Sequence, residues 1–163
     1  MKVYTPCHSE VYNILNNVLN TEKFSDLNSY KIRYSVVFVK DLDPKSGEVF
    51  SVFQGLPYRV KINNAKDRIL KNKDVDIIID KSYWDSCSDE ELEVLMISAL
   101  SQLQIVVKKD FPVFNEDGVV KLKLKKPDMF FAGFSSIAEE YGSVSPERKL
   151  WKDFIYNFTD CLR

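Results

Sequence analysis

The segment DVDIIIDKSYWDSCSDEELEVLMISALSQLQIVV, residues 74–107, decides the fold. It opens on an apolar, β-branched run, Val75 to Ile79, flanked by aspartates, which reads as a central strand. Trp84 follows in what reads as a turn. Ser88-Asp89-Glu90-Glu91 then has the S-x-x-E form of a capping box and sets carboxylates at the positive end of a helix dipole. Leu92, Leu95, Met96, Ala99, Leu100, Leu103 and Val107 recur at helical spacing and predict one continuous apolar stripe on a long amphipathic core helix.

On the N-terminal side, Ser9 reads as an N-cap, and Val11, Ile14, Leu15, Val18 and Leu19 give a first helix of about three turns. Lys31 to Lys40 is β-branched and aromatic. Pro44-Lys45-Ser46-Gly47 supplies turn chemistry before a second strand, Glu48 to Phe53, so a hairpin is expected. Tyr58 to Ile62 is a further strand, joined to the central one by a charged connection of weak helical content. On the C-terminal side, Lys108 to Asn115 reads as a loop containing Pro112, Asp117-Gly118 as a turn, and Val119 to Lys125 as a half-exposed strand ended by Pro127. A short aromatic helix follows, ending near Tyr141-Gly142. Ser145-Pro146-Glu147 opens the last helix, with Leu150, Trp151, Phe154, Ile155 and Phe158 on one face. No repeat or flexible linker divides the chain, so residues 1–163 are expected to form one α+β domain.

A chain of 163 residues buries a core without help from metal or disulfides. The formal net charge of -1 points by itself to neither nucleic acid nor membrane, so any such binding needs a local patch. Cys7, Cys87 and Cys161 are odd in number and far apart, which fits reduced thiols in a cytoplasmic setting rather than a disulfide framework. The N-terminus lacks a signal-peptide pattern and no run is long enough to span a bilayer, so no membrane partner is expected.

Three features together resemble the phage metallopeptidase family of zincin-like domains. A strand of the type y-D-f-v-I matches Asp76-Ile77-Ile78-Ile79-Asp80. A W-x-x-L-s-d-E-q turn before the metal helix matches Trp84 and Ser88-Asp89-Glu90-Glu91. A downstream H-D before a helix ending in Y-G matches Pro127-Asp128 and Tyr141-Gly142. The resemblance implies a small zincin-like domain with its core at about residues 30–142. A mixed or antiparallel sheet would pack against a central amphipathic helix, with added N- and C-terminal helices, the latter at about 146–161. It also sets Ser98 and Gln102 where the family has its two helix histidines, Ala99 at the catalytic glutamate and Pro127 at the third ligand. A hydroxyl and a neutral amide hold a divalent ion poorly. Without the glutamate no group takes the proton from an attacking water. The resemblance therefore implies a catalytically inactive, metallopeptidase-like phage or prophage factor, with no catalytic residue, metal or cofactor, that binds and modulates a host or phage macromolecular complex. Restoring histidine at 98, 102 and 127 and glutamate at 99 is expected to be tolerated and to recover zinc binding.

Other candidate sites are weaker. His8, the only histidine, stands beside Cys7, but adjacent residues diverge and a surface or capping role is ordinary. Cys87 precedes a helix start, where a dipole lowers a thiol pKa; burial beside Trp84 is the plainer reading. Asp128 lacks a partner acid. Asp85, Asp89, Glu90, Glu91 and Glu93 lack the alternation of a cation loop and read as a solvated helix start. Lys121, Lys123 and Lys125 share one face of their strand, with Lys108, Lys109 and Lys126 near in sequence. They suit phosphates or an acidic protein, and equally the protection of a sheet edge. Phe130 and Phe131 cannot both face one core and offer an interaction surface. Three functions stay open: protein binding by an inactive scaffold, nucleic-acid binding through the lysine strand, and a hydrolase with a non-metal site using Ser98, Ser101 or Asp128.

Overall fold

The computed structural model describes residues 1–53, 55–126 and 133–161, with side chains given as far as residue 153. Pro127, Asp128, Phe130 and Phe131 lie outside the described residues. The main sheet has the order β1 (Lys2–Pro6), β2 (Tyr34–Leu42), β5 (Val75–Asp80), β4 (Tyr58–Ile62), with β3 (Val49–Phe50) pairing the end of β2. β2 and β5 are parallel, whereas β1 on β2, β3 on β2 and β4 on β5 are antiparallel, so the sheet is mixed. β5 is central, as its apolar run predicts.

Strand alternation sends Tyr34, Val36 and Phe38 of β2, Tyr58 and Val60 of β4, and Val75, Ile77 and Ile79 of β5 to one face. There they meet Val11, Leu15, Val18 and Leu19 of α1 (Ser9–Leu19) and the buried residues of α5 (Asp89–Ser101) in one core. The start of the parallel pair is tied by Asp74, which is buried and accepts from the Arg33 backbone N–H at 2.9 Å, its Nε at 2.9 Å and its Nη2 at 2.7 Å. Between β1 and β2 the chain passes through α1, a single 3-10 turn and the short helix α2 (Ser25–Ser29). α3 (Ala65–Lys71) joins β4 to β5 and is capped by the Asn64 side chain on the Asp67 N–H.

Ser88 caps α5 through a complete capping box with Glu91, as the sequence predicts. Two expectations for this helix are corrected. Val94 to Leu100 are all buried, so the helix is enclosed rather than one-sided. It also ends at Ser101, whose hydroxyl donates back to the Ile97 carbonyl at 2.7 Å, and the β-branched stretch beyond it pairs as a strand instead. Leu103 remains in the core, but Val107 is 56% exposed and no part of the stripe.

Further differences are local. The first strand has no signal in the apolar pattern, because Lys2 to Pro6 has few apolar residues; it is recruited by the open edge of β2. His8, not Ser9, is the N-cap of α1 and makes no side-chain cap bond. The Trp84 turn is a short helix, α4 (Lys81–Ser86), capped by Asp80, with the indole edge-on to Phe38 at 5.3 Å between ring centres. The expected strand from Glu48 shrinks to two residues.

The segment read as a loop after α5 is a small β arm. β6 (Leu103–Ile105) pairs β9 (Leu122–Leu124), and β7 (Val107–Lys108) pairs β8 (Phe111–Pro112), all antiparallel. The ladders meet where the Val106 N–H donates to the Lys121 carbonyl, the Lys121 N–H to that of Val113, and the Val113 N–H to that of Val106. The C-terminal part holds α6 (Ser135–Tyr141), a single 3-10 turn and α7 (Pro146–Cys161). Among the described residues no helix is long and apolar enough to cross a membrane.

Candidate functional site

Ser98 lies on α5 with no exposed surface, and its Oγ is the centre of a buried polar chain. It donates to Glu147 Oε1 at 2.5 Å. The Tyr58 hydroxyl stands 2.5 Å from the same Oγ, and because the serine proton is spent on the carboxylate, Tyr58 is the donor there. Gln102 Nε2 in turn donates to Tyr58 Oη at 3.4 Å. The order is thus Gln102 amide, Tyr58 phenol, Ser98 hydroxyl, Glu147 carboxylate, each group giving a proton towards the charge.

Three elements build this arrangement. α5 presents Ser98 and Gln102 one turn apart. Tyr58 opens β4, held beside Ile79 by the ladder to β5. Glu147 sits in the first turn of α7, which starts as its Ser-Pro signal predicts, with the Ser145 hydroxyl accepting from the Arg148 N–H at 3.1 Å. Instead of facing solvent, the Glu147 side chain is fully buried. Burial, and then the Glu147 charge, push the Tyr58 hydroxyl well above its ordinary range, so it remains a donor. A second bond fastens the same helix, for Lys149 reaches Glu91 of the capping box and lies over the Tyr83 ring, 5.1 Å from its centre.

Tyr58 Oη therefore occupies the point that side chains at 98 and 102 would both address. An ion shared by those two positions would have to stand there. Zinc takes imidazole, thiolate or carboxylate donors. The groups at hand are a hydroxyl, a phenol, a primary amide and one carboxylate, and they do not fit the zinc of a metallopeptidase. Among the described residues no three of His, Cys, Asp or Glu converge. Ala99 has no exposed surface either, so a glutamate at that position would lie in the core rather than over a cleft. Histidines at 98 and 102 would share their space with the Tyr58 hydroxyl and the Glu147 carboxylate, both bonded to Ser98 at 2.5 Å.

A recess of about 350 Å³ borders Pro57 and Pro146, the residues preceding Tyr58 and Glu147, and also touches Asp80, Ser82, Tyr83 and Lys149. Asp80 is committed to structure there, accepting from the Val52 N–H at 2.9 Å, the Ser51 hydroxyl at 3.1 Å and the Ser82 N–H at 2.9 Å. Ser98 does not reach this recess and Ser101 is bonded to its own helix, so neither is placed as an exposed nucleophile. Cys87 is raised by burial, against the pull of Lys149, and burial pushes Cys7 up to about 12. Neither is an activated thiol. His8 is exposed. Asp85 pairs with Lys81 and Glu91 with Lys149, so the acidic start of α5 is partly spent on ion pairs.

Lys121, Lys123, Lys125 and Lys126 are exposed on or beside β9, away from Ser98. Tyr58 and Glu147 are what the sequence reading of the site missed. They stand 40 and 49 residues from Ser98 in the chain, and no spacing rule connects them. Glu147 in particular reads as an ordinary dipole-favoured residue at a helix start.

A mixed sheet covered by an enclosed central helix, with further helices at both ends, defines a small α+β domain of the zincin-like class. The chain belongs to the family described as "putative phage metallopeptidase", whose model matches residues 3–159. No curated protein and no solved structure matches it.

Proposed function

We propose that this chain is a catalytically silent member of its metallopeptidase family: a phage or prophage factor acting in the bacterial cytoplasm, which binds and modulates a host or phage macromolecular complex. The observation that carries this reading is the Tyr58 hydroxyl, lodged between Ser98 and Gln102 and backed by Glu147. Hydrogen bonds there take up the helix positions that the family resemblance assigns to metal ligands. A scaffold that keeps its fold while its helix positions are satisfied internally is suited to recognition by its surface. The alternative of a hydrolase with a non-metal site lacks support, because Ser98 is enclosed and gives its proton to a carboxylate that no substrate reaches.

The test is metal content and peptide cleavage measured on the purified full chain, together with tagged purification from infected or lysogenic cells. Expected are less than one zinc per several chains, no chelator-sensitive cleavage, and a partner retained in fixed ratio. Stoichiometric zinc that resists dialysis, or cleavage abolished by a chelator, overturns the silent reading. A chain recovered free of any partner under all extraction conditions overturns the binding role.

A further inference from the structure

The β arm after α5 gathers charge and an exposed ring that the sequence leaves apart. Across β7 and β8, Lys108 is paired directly with Phe111, so both side chains lie on one side of that hairpin. Phe111 is 75% exposed. The turn between them, Lys109-Asp110, takes positive φ at both residues, 51° and 65°, the pattern of a tight type I′ hairpin, which holds Phe111 out on a short rigid loop. At the junction, Lys121 is bonded to both segments leading into this hairpin, with Lys123 following in β9 and Lys125 directly after it.

Among the described residues, none of Lys108, Lys109, Lys121, Lys123 or Lys125 takes part in an ion pair. The carboxylates of the same segment are Asp110, Glu116 and Asp117, and the last is held by Arg68 at 2.7 Å. The arm is therefore a cationic surface on a chain of net charge -1. Lys125 and Val107 also border a groove of about 390 Å³, lined further by Gln104, by Asp26 and by Lys23, the last paired with Glu140 at 2.7 Å, so the free cations lie on the arm itself.

Edge protection accounts for lysines on β9, which among the described residues pairs with β6 alone. It does not account for Phe111, since a large exposed ring on a sheet edge promotes the association that lysines prevent. Lysines beside an exposed ring match a polyanion that also offers flat apolar faces. Unpaired bases on a phosphate backbone have that chemistry, whereas a duplex keeps its bases stacked on each other. The segment carries no arginine for bidentate base readout, which suits sequence-tolerant binding.

We propose that the β arm binds single-stranded nucleic acid, with the Phe111 ring as a stacking platform for a base and Lys108, Lys121, Lys123 and Lys125 meeting successive phosphates. This is independent of the metal-free reading of the helix site, and either stands if the other fails.

The experiment is fluorescence anisotropy of labelled oligo-dT and oligo-U of about 20 nucleotides with the full chain, a length that spans the site sizes usual for such surfaces. A matched duplex and polyglutamate serve as competitors. Binding to a single strand is expected at low salt, falling steeply as salt rises, and the tighter of the two oligomers tells which sugar is preferred. Phe111→Ala weakens binding by about tenfold with the salt dependence unchanged, while Phe111→Trp retains it. Lys121→Ala lowers the log–log salt slope by about 0.7, the share of one phosphate contact on a single strand. Circular dichroism of each variant confirms the fold, which these exposed positions do not support. No binding of either oligomer at low salt overturns the proposal, as does binding indifferent to Phe111→Ala. Displacement by polyglutamate or duplex at the same concentration as by single strand also overturns it, and assigns the lysines to an acidic protein or to bulk charge.

Discussion

A buried carboxylate demands partners, and Glu147 is satisfied in part by a serine whose own acceptor side is filled by a phenol. Removing the acid leaves the Ser98 and Tyr58 hydroxyls without the end of their chain. Glu147→Ala is therefore expected to destabilise by about 1–3 kcal/mol, the usual cost of leaving a buried polar group unsatisfied. Glu147→Gln, which still accepts from Ser98, costs less. Replacing the three fully enclosed members, with Tyr58→Phe, Ser98→Ala and Glu147→Met together, is expected to bring stability back close to wild type, because an apolar set of similar volume needs no hydrogen bonds and the half-buried Gln102 amide turns to water. Denaturant unfolding of the three variants checks this, and a Glu147→Ala chain as stable as wild type would show that the carboxylate is not needed there. Ser98 and Gln102 were legible as positions without metal donors from residue type alone. Their partners were not, because a hydrogen bond between a strand start, a helix interior and a later helix start leaves no periodic trace.

At the level of elements, the sequence was read best where a local rule and a burial rule agree. β5 and the start of α5 are such cases: a β-branched run lies at the sheet centre, and Ser88 to Glu91 close a capping box. The end of α5 is not legible in the spacing, because Leu103 and Val107 continue the helical period while the backbone after Ser101 pairs with β9 instead. β1 escaped notice for the reverse reason, as its residues are polar and only the open edge of β2 makes them a strand. The enclosure of α5 gives a direct test. Leu100 has no exposed surface, so Leu100→Ala is expected to cost about 2–5 kcal/mol through lost burial and a residual cavity. The unfolding midpoint reads this out, and an unchanged midpoint would place Leu100 outside the core.

For the whole molecule, α7 is the element whose attachment depends on pH. Two attachments lie in its first turn: Glu147 on Ser98 and, two residues on, Lys149 on Glu91. The Lys149 ammonium, and then the Ser88 N–H, hold the Glu91 carboxyl below its ordinary value of 4.5. A carboxyl lowered in the folded state contributes stability that is fully present above its ordinary pKa and is lost as pH falls through the folded value. Asp74 acts in the same direction at the other end of the sheet, where hydrogen bonds from Arg33 outweigh the burial that would raise it. Stability is therefore expected to be level from neutral pH to about 5 and to decline below that, in the range where lowered carboxyls take up protons. Lys149→Met isolates the contribution of α7, because the methionine keeps an apolar stem over the Tyr83 ring and removes the charge. Tyr83 and Cys87 also face this pair, but both are raised by burial and stay neutral across the acid range. The variant is expected to be less stable than wild type at neutral pH, with the gap narrowing as pH falls below 4.5, since protonated Glu91 no longer rewards the ammonium. Thermal unfolding of both proteins across that range reads the difference. A gap that stays constant with pH would show that the Lys149 charge acts through its position over the Tyr83 ring, 5.1 Å from the ring centre, and not through the Glu91 carboxylate.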